Sequence, residues 1–226
     1  MKNIYKDIYN SKKTLGALEK NPRIKIMATM LNNLDLQEKN ILDVGCYDGT
    51  FLELIKNRQN NFYGLEASDW GSAKAQEKGI AVTKYFFNDV DKLPYEDNFF
   101  DIIIAGEIIE HIYDTDFFLQ EIKRILKPGG KLILSTPNIA SFGRRIFLFF
   151  GINPIIETSP NQPDSSGHIR YFTYKSLNQL LTKNSLKVIE QKTDQINFSG
   201  SGKLKSAILA RMFPGLGASI IAMAKK

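Results

Sequence analysis

The chain has 226 residues, 43% of them hydrophobic and 24% charged, the proportions of a globular domain rather than of a disordered or fibrous chain. Thirty Lys and Arg against 24 Asp and Glu leave a net charge of +6, but the basic residues cluster only as pairs such as Lys12-Lys13, Arg144-Arg145 and Lys225-Lys226, a solvated surface rather than a nucleic-acid groove. The single cysteine, Cys46, excludes a disulfide framework and a Cys-built zinc site within one chain, and no metal is expected.

The N-terminal MKNIYKDIYNSKK has no continuous apolar core, which argues against a secretory signal. No charge-free apolar window reaches the length of a spanning helix, so the expected compartment is the cytoplasm. The first helix is predicted over 22–34, with Asn21 as its cap, Pro22 in its first turn and Ile24, Met27, Met30, Leu31 and Leu34 as its apolar stripe. From residue 40 the pattern alternates. Strands are predicted at 41–44, 62–65, 83–87, 99–105 and 131–135, with helices after the first, over 71–78 and through Phe118, Ile122, Ile125 and Leu126. The run Lys127-Pro128-Gly129-Gly130 stops the last of these helices. Strands alternating with helices imply parallel pairing through right-handed crossovers. Residues 141–173 are rich in proline and glycine and read as an irregular insertion with a short helix at 144–150; a helix at 174–183 and strands at 186–191 and 219–224 follow.

The informative segment is ILDVGCYDG, residues 41–49, where a buried strand runs into a glycine turn and a helix. Ligands of open α/β sheets bind beyond the carboxyl ends of the strands. Gly45 permits unusual dihedrals and close approach of a ligand, and Gly49 lets the helix pack tightly against the strand. No Gly-Lys-Ser/Thr follows, so this is not a P-loop, and Tyr47 stands where a diphosphate-binding turn wants glycine, which argues against a nicotinamide-dependent oxidoreductase. The acid before the turn, Asp43, suits a cationic ligand. The second strand ends in Glu66, about 20 residues further on, where an acid can accept both hydroxyls of a ribose.

These segments resemble class I S-adenosylmethionine-dependent methyltransferases, most closely the ubiquinone-type and small-molecule group. ILDVGCYDG resembles the first family motif and FYGLEAS the second; FNDVDKLPYEDNFFDIIIAGEIIEHI resembles the acidic third motif and fourth strand, and ILKPGGKLILSTPN the stretch through strand five. The likeness covers about 40–138, and 167–226 more loosely. It implies an α/β, Rossmann-like three-layer sandwich on a mostly parallel seven-stranded sheet with an antiparallel last strand. The chain then divides into a helical cap (1–39), a cofactor-binding core (40–138), an insertion or lid (139–173) and a completion of the sheet (174–226).

By the same resemblance, Asp43, Gly45 and Cys46 line the methionine part of S-adenosylmethionine, with Gly49 shaping the turn. Glu66 holds the ribose, and Ala67 lies beside the adenine. Asp89 accepts from the adenine amino group, Val90 donates a backbone N–H, Asn88 assists, and Gly106 and Glu107 approach the methyl donor. The family's usual strand-two aspartate is a glutamate here. His111, four residues after Glu107, is expected to share a helical face with it. An imidazole titrates near neutrality and can take a proton from a hydroxyl, so His111 is the candidate base, with Glu107 and His168 as further catalytic candidates. Arg170 lies beside His168 in the same GHIRYFT run. Tyr5, Tyr9, Phe142 and Tyr171 are aromatic candidates for flanking sulfonium or acceptor.

The expected reaction is methyl transfer to a small-molecule, saccharide or lipid-linked acceptor at oxygen, with S-adenosylhomocysteine as product. Ala105-Gly106-Glu107-Ile108 stands where base N-methyltransferases carry an Asn/Asp-Pro-Pro-aromatic run, and no cysteine follows strand four for carbon methylation of cytosine, so no nucleic-acid partner is expected. The basic, aromatic stretch at 144–156 is a candidate peripheral contact with the inner face of a membrane. The rival reading is a non-catalytic S-adenosylmethionine-binding subunit that supports a partner enzyme.

Overall fold

Apolar runs bounded by polar turns become the strands of one central sheet in the computed structural model, which describes residues 21–55, 59–87, 91–155, 167–198 and 204–226. Helix α1 (Pro22–Asn32) opens the described chain, and the Asn21 side chain accepts the Arg23 N–H at 3.0 Å as its cap. Then come β1 (Asn40–Val44), α2 (Thr50–Leu54), β2 (Asn61–Glu66), α3 (Asp69–Glu77), β3 (Ala81–Lys84), β4 (Phe100–Gly106), a 3-10 turn (Ile109–His111), α4 (Thr115–Ile125) and β5 (Leu126–Pro137). The remainder is α5 (Phe142–Phe149), α6 (Tyr174–Lys183), β6 (Lys187–Lys192), the short β7 (Ile196–Asn197) and β8 (Lys205–Ser206), α7 (Ala207–Met212) and β9 (Ser219–Lys225).

The seven-stranded sheet has the order β3-β2-β1-β4-β5-β9-β6. The β1–β2, β1–β4, β2–β3 and β4–β5 pairs are parallel, and β9 runs antiparallel to both β5 and β6. The mostly parallel seven-stranded sheet with an antiparallel last strand is therefore borne out. Successive strand residues point to opposite faces. Leu42, Ile103 and Leu134 pack with α4 and α6, while Ile41, Ile102, Ile104 and Ile133 pack with α1, α2 and α3. On α4, Phe118, Leu119, Ile122 and Ile125 are all buried on one stripe, each contributing about 1.5–3 kcal/mol by leaving water.

Three details depart from expectation. β3 comes two residues early and ends at Lys84; beyond it the Tyr85 ring stacks edge-on with Phe87 at a centroid distance of 5.1 Å, and Phe87 with Phe118 at 5.7 Å. β5 begins at Leu126, directly after α4, and its pairing with β4 shifts register between Phe100 and Ile102, which absorbs Pro128, Gly129 and Gly130. The β7–β8 ribbon and α7 were not predicted. No helix among the described residues is long and apolar enough to cross a membrane.

Candidate functional site

The carboxyl ends of β1, β2 and β4 lie side by side, and their connections build the site. At the end of β1, Gly45 takes φ +76°, a left-handed conformation that a side chain rarely adopts. A Cβ there would fall 2.4 Å from Ile108 Cδ1, so Ile108, the second residue after β4, packs directly on this glycine. The Gly45 and Cys46 N–H groups both donate to Leu65 O, at 2.8 and 3.1 Å, and Gly49 N–H closes the turn onto Cys46 O at 2.8 Å. Gly49 caps α2 with φ +74°; a Cβ on it would sit 2.4 Å from Ile80 Cδ1 and 3.1 Å from Ala75 Cβ. Its smallness therefore serves packing on α3, not the expected packing of α2 against the strand.

Glu66, at the tip of β2, is only 7% exposed. Its Oε2 accepts the Tyr47 N–H at 2.9 Å and its Oε1 accepts the Ser68 N–H at 2.7 Å. One carboxylate thus ties the glycine turn to the second strand, and each oxygen keeps a lone pair for a ligand hydroxyl. Ala67 follows it, half-buried. Asp43 is buried on β1; burial, followed by the neighbouring Glu66, pushes its carboxyl up to about 8. Burial likewise pushes the Cys46 thiol upward, and its sulfur packs where a Cβ on Gly64 would come within 2.4 Å. That is a packed, unreactive thiol.

The second half of the site follows β4. A Cβ on Gly106 would meet nothing closer than Met27 Cε at 3.7 Å and Ser135 Oγ at 3.8 Å, so the chain is open here. Glu107 then adopts φ 57°, and Tyr47 at the end of β1 adopts φ 46°. Such left-handed non-glycine residues cost roughly 1–3 kcal/mol each and gather at functional turns. Glu107 Oε1 lies 2.5 Å from Arg23 Nη1 and accepts from Ser135 Oγ at 3.2 Å.

The left-handed turn at Glu107 breaks the helical face that it was expected to share with His111. Only Ile109–His111 is helical, and as a 3-10 turn. Glu110 takes the expected place beside His111. Its main-chain carbonyl accepts the N–H groups of both Ile169 and Arg170 at 3.0 Å, which draws His168 in from the far side of the insertion. The His111 and His168 rings stand 4.8 Å apart, His111 Nδ1 is 3.2 Å from Gly167 O, and His168 Nε2 is 3.9 Å from Glu110 Oε1. With Nδ1 donating to that carbonyl, His111 Nε2 holds the lone pair. Glu110 is 1% exposed, and burial, then Glu107, pushes its carboxyl up to about 8 against the opposing pull of its own backbone, the Thr136 hydroxyl and Arg23. One ligand atom each from Glu110, His111 and His168 lie within 4.8 Å of one another, a grouping able to hold a metal ion.

The structure therefore brings Asp43, Gly45, Cys46, Gly49, Glu66 and Ala67 together around one turn, Gly106 and Glu107 to the adjacent strand end, and His111 and His168 to each other. Asn88, Asp89 and Val90, and also Tyr5 and Tyr9, lie outside the described residues. Phe142 packs on Phe198 at 5.2 Å, and the Tyr171 hydroxyl reaches His168 O at 3.4 Å. Arg170 sits over the Tyr113 ring at 5.6 Å. Sequence reasoning missed Arg23, whose Nε is buried without a partner. Helical spacing puts Arg23 on the same face of α1 as the buried Met27, but nothing local points to its partner Glu107.

A family model described as the methyltransferase domain matches residues 20–191. The chain is 29% identical over 157 residues to a ubiquinone biosynthesis O-methyltransferase of Bartonella bacilliformis, an alignment covering 67% of this chain and 61% of the relative. The chain thus spans less than two thirds of that curated relative's length. An S-adenosylmethionine-dependent methyltransferase of Mesorhizobium loti superposes with a TM-score of 0.64 at 16% identity, covering 92% of this chain and all (100%) of that one. A 1,6-didemethyltoxoflavin-N1-methyltransferase of Burkholderia thailandensis, solved with S-adenosylhomocysteine, gives 0.60 at 12% identity, covering 93% and 81%. At these identities the solved structures share the fold.

Proposed function

The chain belongs to the methyltransferase-domain family, and on that premise we propose that it transfers the methyl group of S-adenosylmethionine to the hydroxyl oxygen of a small organic acceptor. The observation that carries this reading is the buried Glu66 carboxylate, held by the Tyr47 and Ser68 N–H groups beside a left-handed glycine turn. The fit to the cofactor rests on three features: that carboxylate for a ribose, the buried Asp43 for an ammonium, and the partnerless Arg23 Nε for a carboxylate. When bound, S-adenosylmethionine supplies a methyl group on a positively charged sulfur.

The residues divide the remaining work. Asp43 and Arg23 orient the amino-acid end, Gly45 and Cys46 offer a close backbone surface, and Glu66 with Ala67 orients the nucleoside. Asn88, Asp89 and Val90 are the proposed adenine contacts. Gly106 leaves room at the end of β4, and Glu107 positions Arg23 through their ion pair. The acceptor lies over His111, Glu110 and His168, and its proton leaves through this group, with His111 Nε2 as the base in the metal-free protein. Alignment and exclusion of water supply most of the rate in such a site.

The acceptor class draws on a surface feature. Six of the sixteen large apolar side chains exposed among the described residues lie at 146–152 and six more at 198–213. The two stretches meet at Phe142 and Phe198, and residues 138–156 and 195–226 contain no Asp or Glu. Arg144, Arg145, Lys205 and Arg211 accompany them. This composition supports peripheral contact with an anionic lipid surface and an amphiphilic or lipid-linked acceptor. Pelleting with anionic but not neutral vesicles tests it, and equal absence from both pellets removes it.

Incubation with methyl-labelled S-adenosylmethionine and a panel of phenolic, saccharide and lipid-linked alcohols tests the reaction. Label transfer to one class is expected. Cofactor binding with no transfer to any acceptor would favour the non-catalytic subunit instead.

A further inference from the structure

We propose that the cationic rim where the end of β9 meets α4, α6 and β6 is a second binding site, one that takes a small anion carrying two or more phosphate groups. It lies at the end of the sheet away from the cofactor site. On β5, Lys131 marks this rim, and Ser135, which donates to Glu107, marks the other; the strand between them covers about 13 Å.

Folding brings together cations that the sequence scatters. A cleft of about 360 Å³ opens between the last turns of α4 and α6 and the end of β9. Lys123, Arg124, Lys183 and Lys226 line it, and no Asp or Glu side chain does. Two of these cations are already paired, Arg124 with Glu121 and Asp97, and Lys183 with Asp116. Lys226 donates only to the neutral Asn98 Oδ1 and Leu126 O, and among the described residues Lys123 has no ion pair. Burial, then the charge of Lys123, holds the Lys226 ammonium below its ordinary value, with Asp97 opposing. The two ammonium groups repel each other in a partly enclosed place, and an anion between them removes that repulsion.

The helix dipole accounts for Lys123 and Lys183, since cations favour the last turn of a helix. It does not account for a second feature, which lies on strands. Lys225 of β9 stands directly opposite Lys131 of β5 on one side and Lys187 of β6 on the other. Directly opposed residues share a face of the sheet, so three lysines form a row about 10 Å long across three adjacent strands. Like charges directly opposite one another destabilise a sheet. Among the described residues none of the three side chains has an acidic partner. Lys187 also lines a cleft of about 330 Å³ that shares Ser185 with the first, so the row borders a continuous surface.

The size and lining of the two clefts select the occupant. Both volumes fall at the small end of the range of small-molecule pockets. No aromatic side chain lines either one, so the stacking surfaces that single-stranded nucleic acid uses are lacking. The exposed apolar side chains that suit a lipid surface are concentrated at 146–152 and 198–213, on other elements. Lysines act as compact point charges toward phosphate, and linked phosphate groups place several charges and acceptor oxygens in such a volume.

The experiment is calorimetric titration of the protein, alone and saturated with S-adenosylhomocysteine, with inorganic triphosphate in about 0.15 M salt, a level that screens charges beyond about 8 Å. One triphosphate per chain is expected in both preparations, with affinity falling as salt is added and sulfate binding much more weakly. Lys123→Gln and Lys225→Gln are each expected to weaken binding about fivefold and to leave S-adenosylhomocysteine affinity unchanged. Lys74→Gln, on α3, removes the same charge elsewhere and should leave triphosphate binding as it is. Absence of stoichiometric binding, or equal weakening by Lys74→Gln, overturns the proposal. Tighter binding of a short DNA duplex or of oligoglutamate than of triphosphate also overturns it, by making the rim a docking face for a macromolecule. Triphosphate binding by a protein that does not take S-adenosylhomocysteine leaves this site standing and defeats the cofactor reading alone.

Discussion

The Tyr47 backbone N–H donates to Glu66 Oε2 at 2.9 Å, so the acid that would hold the ribose also fastens the glycine turn of β1 to the end of β2. Binding and architecture share one carboxylate. Glu66→Gln replaces one acceptor oxygen with a donor facing an N–H. It is expected to lower stability by about 1–3 kcal/mol and S-adenosylmethionine affinity by about tenfold or more. Chemical denaturation and calorimetry on the same preparation measure both; a change in affinity alone would mean that the turn does not depend on this residue.

Gly45 and Gly106 look alike in sequence but face different surroundings. Gly45→Ala forces a side chain into φ +76° and into Ile108 Cδ1, and is expected to cost about 1–3 kcal/mol and to weaken cofactor binding. Adding Ile108→Ala should restore the space but not the backbone cost. Gly106→Ala, with its nearest neighbour at 3.7 Å, is expected to stay within about 0.5 kcal/mol of the parent. Melting curves of the three variants check the order.

The raised Asp43 carboxyl gives the protein a pH dependence of definite sign. Its folded-state value of about 8 lies above the ordinary 3.8, so the folded state binds the proton more tightly. The corresponding stability is present at acid pH and is lost as pH rises between those two values. A ligand ammonium needs the carboxylate, so cofactor affinity should instead rise with pH up to about 8. Asp43→Asn should flatten both profiles and weaken binding at pH 8. Affinity that falls with pH in the wild type would exclude Asp43 as the ammonium partner.

Cys46 is expected to resist alkylation in the native protein and to react on unfolding, because its thiol is buried against Gly64 and its deprotonation is disfavoured. With one cysteine in the chain, mass spectrometry after iodoacetamide treatment reads this directly. Cys46→Ser should retain methyl transfer; loss of turnover with intact cofactor binding would give the thiol a chemical role.

Much of the fold was legible because its signals are local. The apolar runs of β1, β2 and β4 and the Asn21-Pro22 start of α1 are periodic or short-range features. The glycine turn and Glu66 were legible for the same reason, being a motif at fixed spacing. What escaped depends on contacts distant in sequence. Tyr85 and Phe87 read as strand, yet β3 ends before them and Phe87 packs on Phe118, and Arg23 gains its meaning only from Glu107, 84 positions later. Glu107 was placed on a helical face with His111, which fails because the backbone turns left-handed there and leaves Glu110, not Glu107, grouped with the two histidines. A seven-residue window cannot reveal that reversal, since helical spacing assumes an unbroken helix.

The central claim is that S-adenosylmethionine docks at the bend after β1, its sugar held by Glu66. A crystal structure with S-adenosylhomocysteine tests it most directly. The expected result is both ribose hydroxyls in hydrogen-bond range of the Glu66 carboxylate, with the amino group near Asp43 and the carboxylate at Arg23. A ligand bound elsewhere, or a turn closed by Ile108 with no ligand at saturating concentration, would contradict it.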